Sequence, residues 1–560
     1  MLLRLAPAVT LLALAAPIVL GTAFTLLPAF GFFPAIGGAS FGFHGWNSLF
    51  ATPGFSTALR LTLTTGLAAT VLSFACAVGF SATAAQWPIF AVLRRSLVPL
   101  LASPHSAMAL GFAFLVMPSG WLVRLFSPWA TGLERPPVNL ITVQDPLGLA
   151  LVGGLLLKEI PYLVLMILVA SAQIPVGRTL SAARALGQRP AVAWLKVVFP
   201  QIYPQIRLPI FAVLAFSLSA VDVGLILGPD NPPSLAVLAT RWFSDYDLAN
   251  YYPAAAAATL QLLLVIACVF GWWAAEIPVS YMARRWIERG GTDRLSGILA
   301  GSAAAGSVLA GVLGLLSIFD MAIWAFARVW RFPDALPTGW QISTLVRQGD
   351  HMLATAGTTT AIGALSVLVA LILTLACLEN EQRRALRPGA TALWLLYVPL
   401  VVPQIAFLFG VQVLLVRIGL DGTLLAVAWV HLIFVLPYVF LSLADPFRTL
   451  DPRYAASAAA LCASPLRVFL AVKLPLLLRP ILMAAAVGFA VSVGQYLPTL
   501  FAGAGRVVTL TTEAVTLAGS ADRRVIGFLS LVQSMLPLLA YGIALAVPSL
   551  LFRHRRELLR

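Results

Sequence analysis

Apolar runs long enough to cross a lipid bilayer begin near Leu5, Leu61, Leu97, Leu147, Ile210 and Ala254, and again near Ile298, Leu353, Ala392, Thr423, Ile481 and Val525. Each crossing takes about 20 apolar residues, because in hydrocarbon a helix satisfies its own backbone polar groups. Twelve such runs in 560 residues leave loops too short for a large soluble catalytic domain. The chain is 60% hydrophobic and 10% charged, more apolar surface than a soluble core encloses. The pattern predicts an all-α integral membrane protein of twelve transmembrane helices. The run from Leu5 to Phe30 is longer than the apolar stretch of a signal peptide and has no evident cleavage site, so it counts as the first span.

The net charge of +15 raises the question of nucleic acid, but the basic residues sit in short clusters between apolar runs rather than along one face. They report topology instead. With the N-terminus placed inside, 24 of the 36 basic residues fall in inside segments, including Arg94 and Arg95, Arg284 to Arg294, Arg383 to Arg387 and the C-terminal Arg553 to Arg560. Basic residues concentrate on the cytoplasmic side of membrane proteins. Both termini are therefore expected in the cytoplasm. Cys76, Cys268, Cys377 and Cys462 lie far apart, and His44, His105, His351, His431 and His554 form no metal-binding spacing, so neither a metal site nor a catalytic centre is expected.

The chain also repeats itself. Ser181-Ala-Ala-Arg-Ala-Leu-Gly187, followed by Trp194, Val197 and Pro200, returns 275 residues later as Ala456-Ser-Ala-Ala-Ala-Leu-Cys462, followed by Phe469, Val472 and Pro475. Pro161-Tyr162 returns as Pro437-Tyr438, and Pro104 to Gly111 as Pro403 to Gly410, at offsets of 276 and 299. The change of offset places the extra residues of the first copy between Pro118 and Pro146. Six spans per copy is an even number, so the copies enter the membrane in the same orientation. Residues 1–290 and 291–560 read as parallel six-span units related by a pseudo-twofold axis along the membrane normal, with a pathway between them.

Each repeated segment, about 178–204 and 451–479, reads as a short Ala-rich helix broken at Gly187 or Cys462, then a second helical stretch ending at Pro200 or Pro475. Small residues at the start invite close approach by another protein. Leu186, Trp194 and Val197, with Leu461, Phe469 and Val472, are expected to anchor the segment to the bundle.

At these residues the chain resembles the permeases of binding-protein-dependent ABC importers, whose signature is Glu-Ala-Ala, three residues, Gly, then a downstream apolar-x-Pro. The likeness covers nearly the whole chain, and two permease units are fused as in the thiamine and iron(III) importers. Ser217 to Leu238 and Gln495 to Val515 look closest to the thiamine-type branch. Ser181 and Ala456 stand where the family has Glu, and Cys462 where it has the second Gly.

The resemblance implies type I, MetI-like units in a bacterial inner membrane. It implies that Ser181, Ala182, Ala183, Arg184, Leu186 and Gly187, with Ala456, Ser457, Ala458, Leu461 and Cys462, dock two ABC ATPase subunits. A solute-binding protein would deliver the small-molecule substrate from outside. Lys158, Lys196 and Lys473 are the chain's lysines, and none follows a Gly as a Walker A loop requires, so ATP and Mg would be held by the partner subunits.

Charges at bilayer depth need a partner or a function. Lys158 and Glu159 lie mid-span, with Phe434 and Val435 at their places in the second copy. Asp222 lies inside the fifth span and pairs loosely with Gln495. Ser219 and Ser492 each stand three residues earlier, a spacing that puts Ser219 with Asp222, and Ser492 with Gln495, on one helical face. These six residues are the candidate pathway, with Lys158 expected to bond Asp222 or Glu159 in at least one state. A structural ion pair is the competing reading for Lys158 and Glu159. Glu276 and Asp320, near span ends, are expected to snorkel. The alternative to an ABC permease is an ion-coupled twelve-span carrier, which gives no reason for two docking segments.

Overall fold

The computed structural model describes residues 2–84, 97–289, 294–386, 389–461, 464–519 and 522–552. Among these, ten helices are long and apolar enough to span a membrane, and two sharply bent pairs complete a set of twelve. In chain order they are α1 (Leu3–Ala29), α2 (Phe55–Ala84), α3 (His105–Phe126), α4 (Leu149–Ser171), α5 (Pro190–Ser219), α6 (Leu248–Glu288), α7 (Leu295–Phe326) and α8 (Val346–Arg384). Next comes α9 (Trp394–Val401 with Ile405–Arg417, bent by 98°), then α10 (Leu424–Arg448), α11 (Pro465–Leu476 with Leu478–Val493, bent by 75°) and α12 (Arg523–Leu551). The described strands are Ala327–Val329 and Gly339–Trp340, a short antiparallel pair after α7.

The sequence repeat is also a repeat of local structure. The turn Pro190–Ala193, the π-helical turn Trp194–Val198 and the helix starting at Leu235 each recur 275 residues later, as Pro465–Val468, Phe469–Lys473 and the helix starting at Leu510. A tertiary bond recurs with them. The Leu235 N–H donates to the Thr62 hydroxyl at 2.9 Å, and the Leu510 N–H to the Thr359 hydroxyl at 3.0 Å. The extra length of the first copy lies between Phe126 and Leu149, where the second copy needs only the turn from Arg417 to Leu424.

Packing within the copies matches: α2 lies on α4 and α5 as α8 lies on α10 and α11. The first span of each copy crosses over. α1 packs on α8 and α9, and α7 on α2 and α3, while each keeps contact with the last span of its own copy. Glycine makes both crossings possible. A Cβ at Gly410 of α9 would collide with the Gly21 backbone of α1, and one at Gly111 of α3 with the Ser317 carbonyl of α7. Removing that carbon lets the backbones approach closely enough for packing to hold helices in lipid, where burial of apolar surface adds no drive.

The second helical stretch does not end at Pro200. It runs on through Phe199–Ser219 as α5, whereas in the second copy the bend follows Pro475 at Leu477. Proline inside a helix lacks a donor and its ring crowds the preceding turn. The wider π-turn just before Pro200 and Pro475 relieves that conflict.

Candidate functional site

Each repeated cytoplasmic-type segment of the sequence folds as a short helix followed by an elbow. In the first copy, the helix Val176–Ala185 ends in a Schellman closure: the Gln188 N–H donates to the Ala183 carbonyl at 3.2 Å and Gly187 takes φ of 80°, which glycine tolerates. Ser181, Ala182, Arg184, Leu186 and Gly187 are exposed and Ala183 is buried. In the second copy, Pro452–Ala460 exposes Ala456 and Ser457 and half-buries Ala458. Cys462 lies outside the described residues.

Trp194 is buried in the bundle, but Leu186 and Leu461 are not anchors. They are 82% and 84% exposed. Both occupy the position just after their helix, where the chain turns and the side chain projects away from the bundle. The same apolar knob therefore stands out at the same point of both repeats.

Four of the apolar stretches are interrupted along their length. α3 begins at His105 after the helical turn 97–102, and α9 breaks between Val401 and Ile405. α5 stops at Ser219 and a new helix starts at Asp222; α11 stops at Val493 and the next helix starts at Leu497. Ser219 and Asp222 therefore do not share a helical face, nor do Ser492 and Gln495. In the 275 register Leu497, not Gln495, stands at the place of Asp222.

A broken helix in lipid must find other partners for its carbonyls. At α5 the Gln261 amide donates to the Leu218 carbonyl at 3.0 Å, and at α11 the Thr511 hydroxyl donates to the Val493 carbonyl. Lys158 serves the break before α3. Its ammonium donates to the carbonyls of Leu100, Leu101 and Ser103 at 3.1, 2.9 and 2.6 Å. It bonds neither Asp222 nor Glu159, because a four-carbon stem carries the charge to a helix C-terminus where three carbonyl dipoles converge. At the equivalent place Phe434 stacks on Phe407.

Glu159 instead meets His105, with Oε1 and Nε2 3.5 Å apart. The imidazole lies against the Phe216 ring, is one-third exposed, and stands within electrostatic reach of buried Asp222. The counterpart of His105 at the 299 offset is Gln404, whose amide donates to the Gln495 side chain at 3.4 Å. Pro104 lies against Gly494, so breaks from opposite copies meet. Tyr162 and Tyr438, partners in the repeat, lie near each other and near Glu159. Glu159, His105 and Asp222 of the first copy thus lie near one another, as do Gln404 and Gln495 of the second, with the two tyrosines near Glu159.

Ser492 lies off this group. His431 of α10 bonds Ser492 through Nδ1 at 2.8 Å and Thr499 through Nε2 at 2.9 Å, stapling the two sides of the α11 break. Ser219 bonds back to the Ala215 carbonyl at 2.6 Å. Sequence reasoning passed over His105, Gln404 and His431; the signal available for the first two was their shared position after Pro104 and Pro403. Asp320 does not snorkel. Glu276 accepts from Tyr203 at 2.8 Å and pairs with Arg207, while Asp320 is fully buried near Arg124 and Arg523.

No family model matches the chain. The inner membrane ABC transporter permease protein YnjC of Escherichia coli K12 is 31% identical over 510 residues, covering 90% of each chain. The molybdenum transport system permease protein ModB of Mycobacterium tuberculosis and that of Mycobacterium bovis are each 31% identical over 190 residues, 31% of this chain and 70% of theirs.

Proposed function

Because the chain belongs to the ABC transporter permeases, we propose that it is the membrane subunit of an ABC importer in which two fused units, residues 1–290 and 291–560, form one solute pathway along their pseudo-twofold axis. One observation carries this reading: two exposed segments, each with an apolar knob, recur at a fixed offset on the face where basic residues gather. That face is the cytoplasmic one, with both termini on it, in a bacterial inner membrane.

Two ABC ATPase subunits dock on Ser181 to Gly187 and Ala456 to Cys462 and hold ATP and Mg themselves. The chain performs no covalent chemistry. A solute-binding protein delivers cargo at the opposite face. ATP binding biases the bundle between two packings, open to one side or the other, by gripping the segments differently in each.

The pathway runs past Glu159, Asp222 and Gln495, which the geometry around the axis supports, with His105 and Gln404 beside them. Ser219 flanks it. Lys158 and Ser492 serve as structure around it. Two acidic groups among tyrosines suit a cationic solute, thiamine-like or iron(III). The test is co-purification with the ATPase and binding protein, then ATP hydrolysis across a panel of solutes. Uptake that persists without ATP and without an ATPase partner overturns the reading in favour of an ion-coupled carrier.

A further inference from the structure

The second docking segment is fastened to the bundle by a buried charge cluster. Glu379, near the end of α8, accepts from Lys473 Nζ through Oε2 at 2.7 Å and from Arg383 Nε through Oε1 at 2.6 Å. The same ammonium donates to Gln382 at 2.5 Å, and Lys473 and Glu379 are both buried. Arg383 reaches on to the Pro465 carbonyl at 2.9 Å. Pro465 and Lys473 are the two ends of the elbow that follows the docking helix, so one carboxylate holds both ends against α8. Beside it, Glu381 of α8 pairs with Arg448 at the end of α10 at 3.0 Å.

The first copy is built differently. Residues 55–96 contain no Asp or Glu, and Val198 stands where the second copy has Lys473. The first elbow packs on α2, the counterpart of α8, and on α7, and reaches α6 through the Lys196 ammonium, 4.8 Å over the Trp286 ring; beyond the elbow, on α5, Tyr203 donates to Glu276 of α6 at 2.8 Å and Trp272 donates to the Tyr203 hydroxyl at 3.2 Å. The two segments, alike in shape, are thus fastened by different bonds.

We propose that Glu379 is the positioning residue that passes movement of the second docking segment to α8 and α10, a link for which the first segment, with Val198 in place of Lys473, has no counterpart, so the two ATPase contacts drive the bundle unequally. This rests on the ABC importer reading. A buried ion pair is worth little over an apolar pair in stability, but its hydrogen bonds fix direction, which a push along one helix requires. Lys473 moving with the elbow carries α8 with it; without the charge the elbow slides past.

The test uses the full chain reconstituted in liposomes with its ATPase and binding protein, reading ATP hydrolysis with and without the binding protein. The variants are E379Q, K473M and the apolar pair E379L/K473M. Wild type must show stimulation; if it shows none, the importer reading has failed and the link is not in question. With stimulation present, E379Q and K473M are expected to cut it about 5-fold or more while basal hydrolysis and ATPase binding persist, the usual scale of coupling between sites. The double variant, which restores packing, separates the two roles: a purely structural pair predicts recovered stimulation, and the link predicts none. Full stimulation in E379Q, or recovery in the double variant, overturns the proposal.

Discussion

Replacing Lys158 with Met keeps the length of the stem and removes the ammonium that three carbonyls share. Those carbonyls belong to the end of a helical turn at bilayer depth, where no water replaces the lost donor. Breaking a buried charged contact by removing one partner costs about 3–5 kcal/mol, the lower half of the roughly 3–9 kcal/mol that three orphaned carbonyls at about 1–3 kcal/mol each would give. Part of this is returned because the ammonium no longer has to be desolvated and because the unfolded chain in lipid also finds partners. A net loss of about 3 kcal/mol remains, roughly a hundredfold in the folding equilibrium. Reversible unfolding of the purified protein in mixed micelles, followed by tryptophan fluorescence, reads it directly. E159Q is the control, because it keeps the shape of the side chain, breaks no carbonyl cap and removes charge only opposite the one-third-exposed His105, so it should stay within about 1 kcal/mol of wild type. If K158M is as stable as wild type yet inactive in transport, Lys158 belongs to the pathway and the capping account is wrong.

Three further outcomes follow from the same geometry. H431L leaves the Ser492 and Thr499 hydroxyls without the imidazole between them and should lower stability by about 1–3 kcal/mol, measured by the same unfolding titration. D222N should insert and fold normally but depress transport in the reconstituted system; unchanged transport rates would remove Asp222 from the pathway. L186D with L461D charges two residues that touch almost nothing in the bundle, so the folded fraction should be unchanged while ATPase co-purification is lost. Retained co-purification would show that these knobs are not the docking points.

Much of the architecture was legible because it is written in local terms. Hydropathy reads one crossing at a time, and each copy repeats its own turn chemistry, so the 275-residue register appears in the π-turns and helix starts as well as in the letters. The interlocking of the copies was not legible. Gly21 and Gly410 are unremarkable residues until their helices meet, and nothing in either run names the other.

The candidate pathway divides along the same line. Singling out Glu159, Asp222 and Gln495 as candidates needed only the cost of charge in lipid and the position of the repeat. Pairing Ser219 with Asp222 failed because the helix between them breaks at Ala220 and Val221, where neither glycine nor proline announces a break. That break is held by Gln261, 43 residues away, donating to the Leu218 carbonyl.

By itself, then, the sequence determined that the chain is an all-α membrane protein with ten to twelve helices apolar enough to cross, and that a segment with its turn chemistry recurs 275 residues later. These follow from hydropathy and spacing along one strand of chain. The tertiary structure alone decided where Lys158 puts its charge, how each repeated segment is fastened, and where the apolar helices are interrupted. Such choices depend on carbonyls and side chains brought in from distant spans, because in hydrocarbon a backbone group left without a partner costs more than any local preference for the helix can offset.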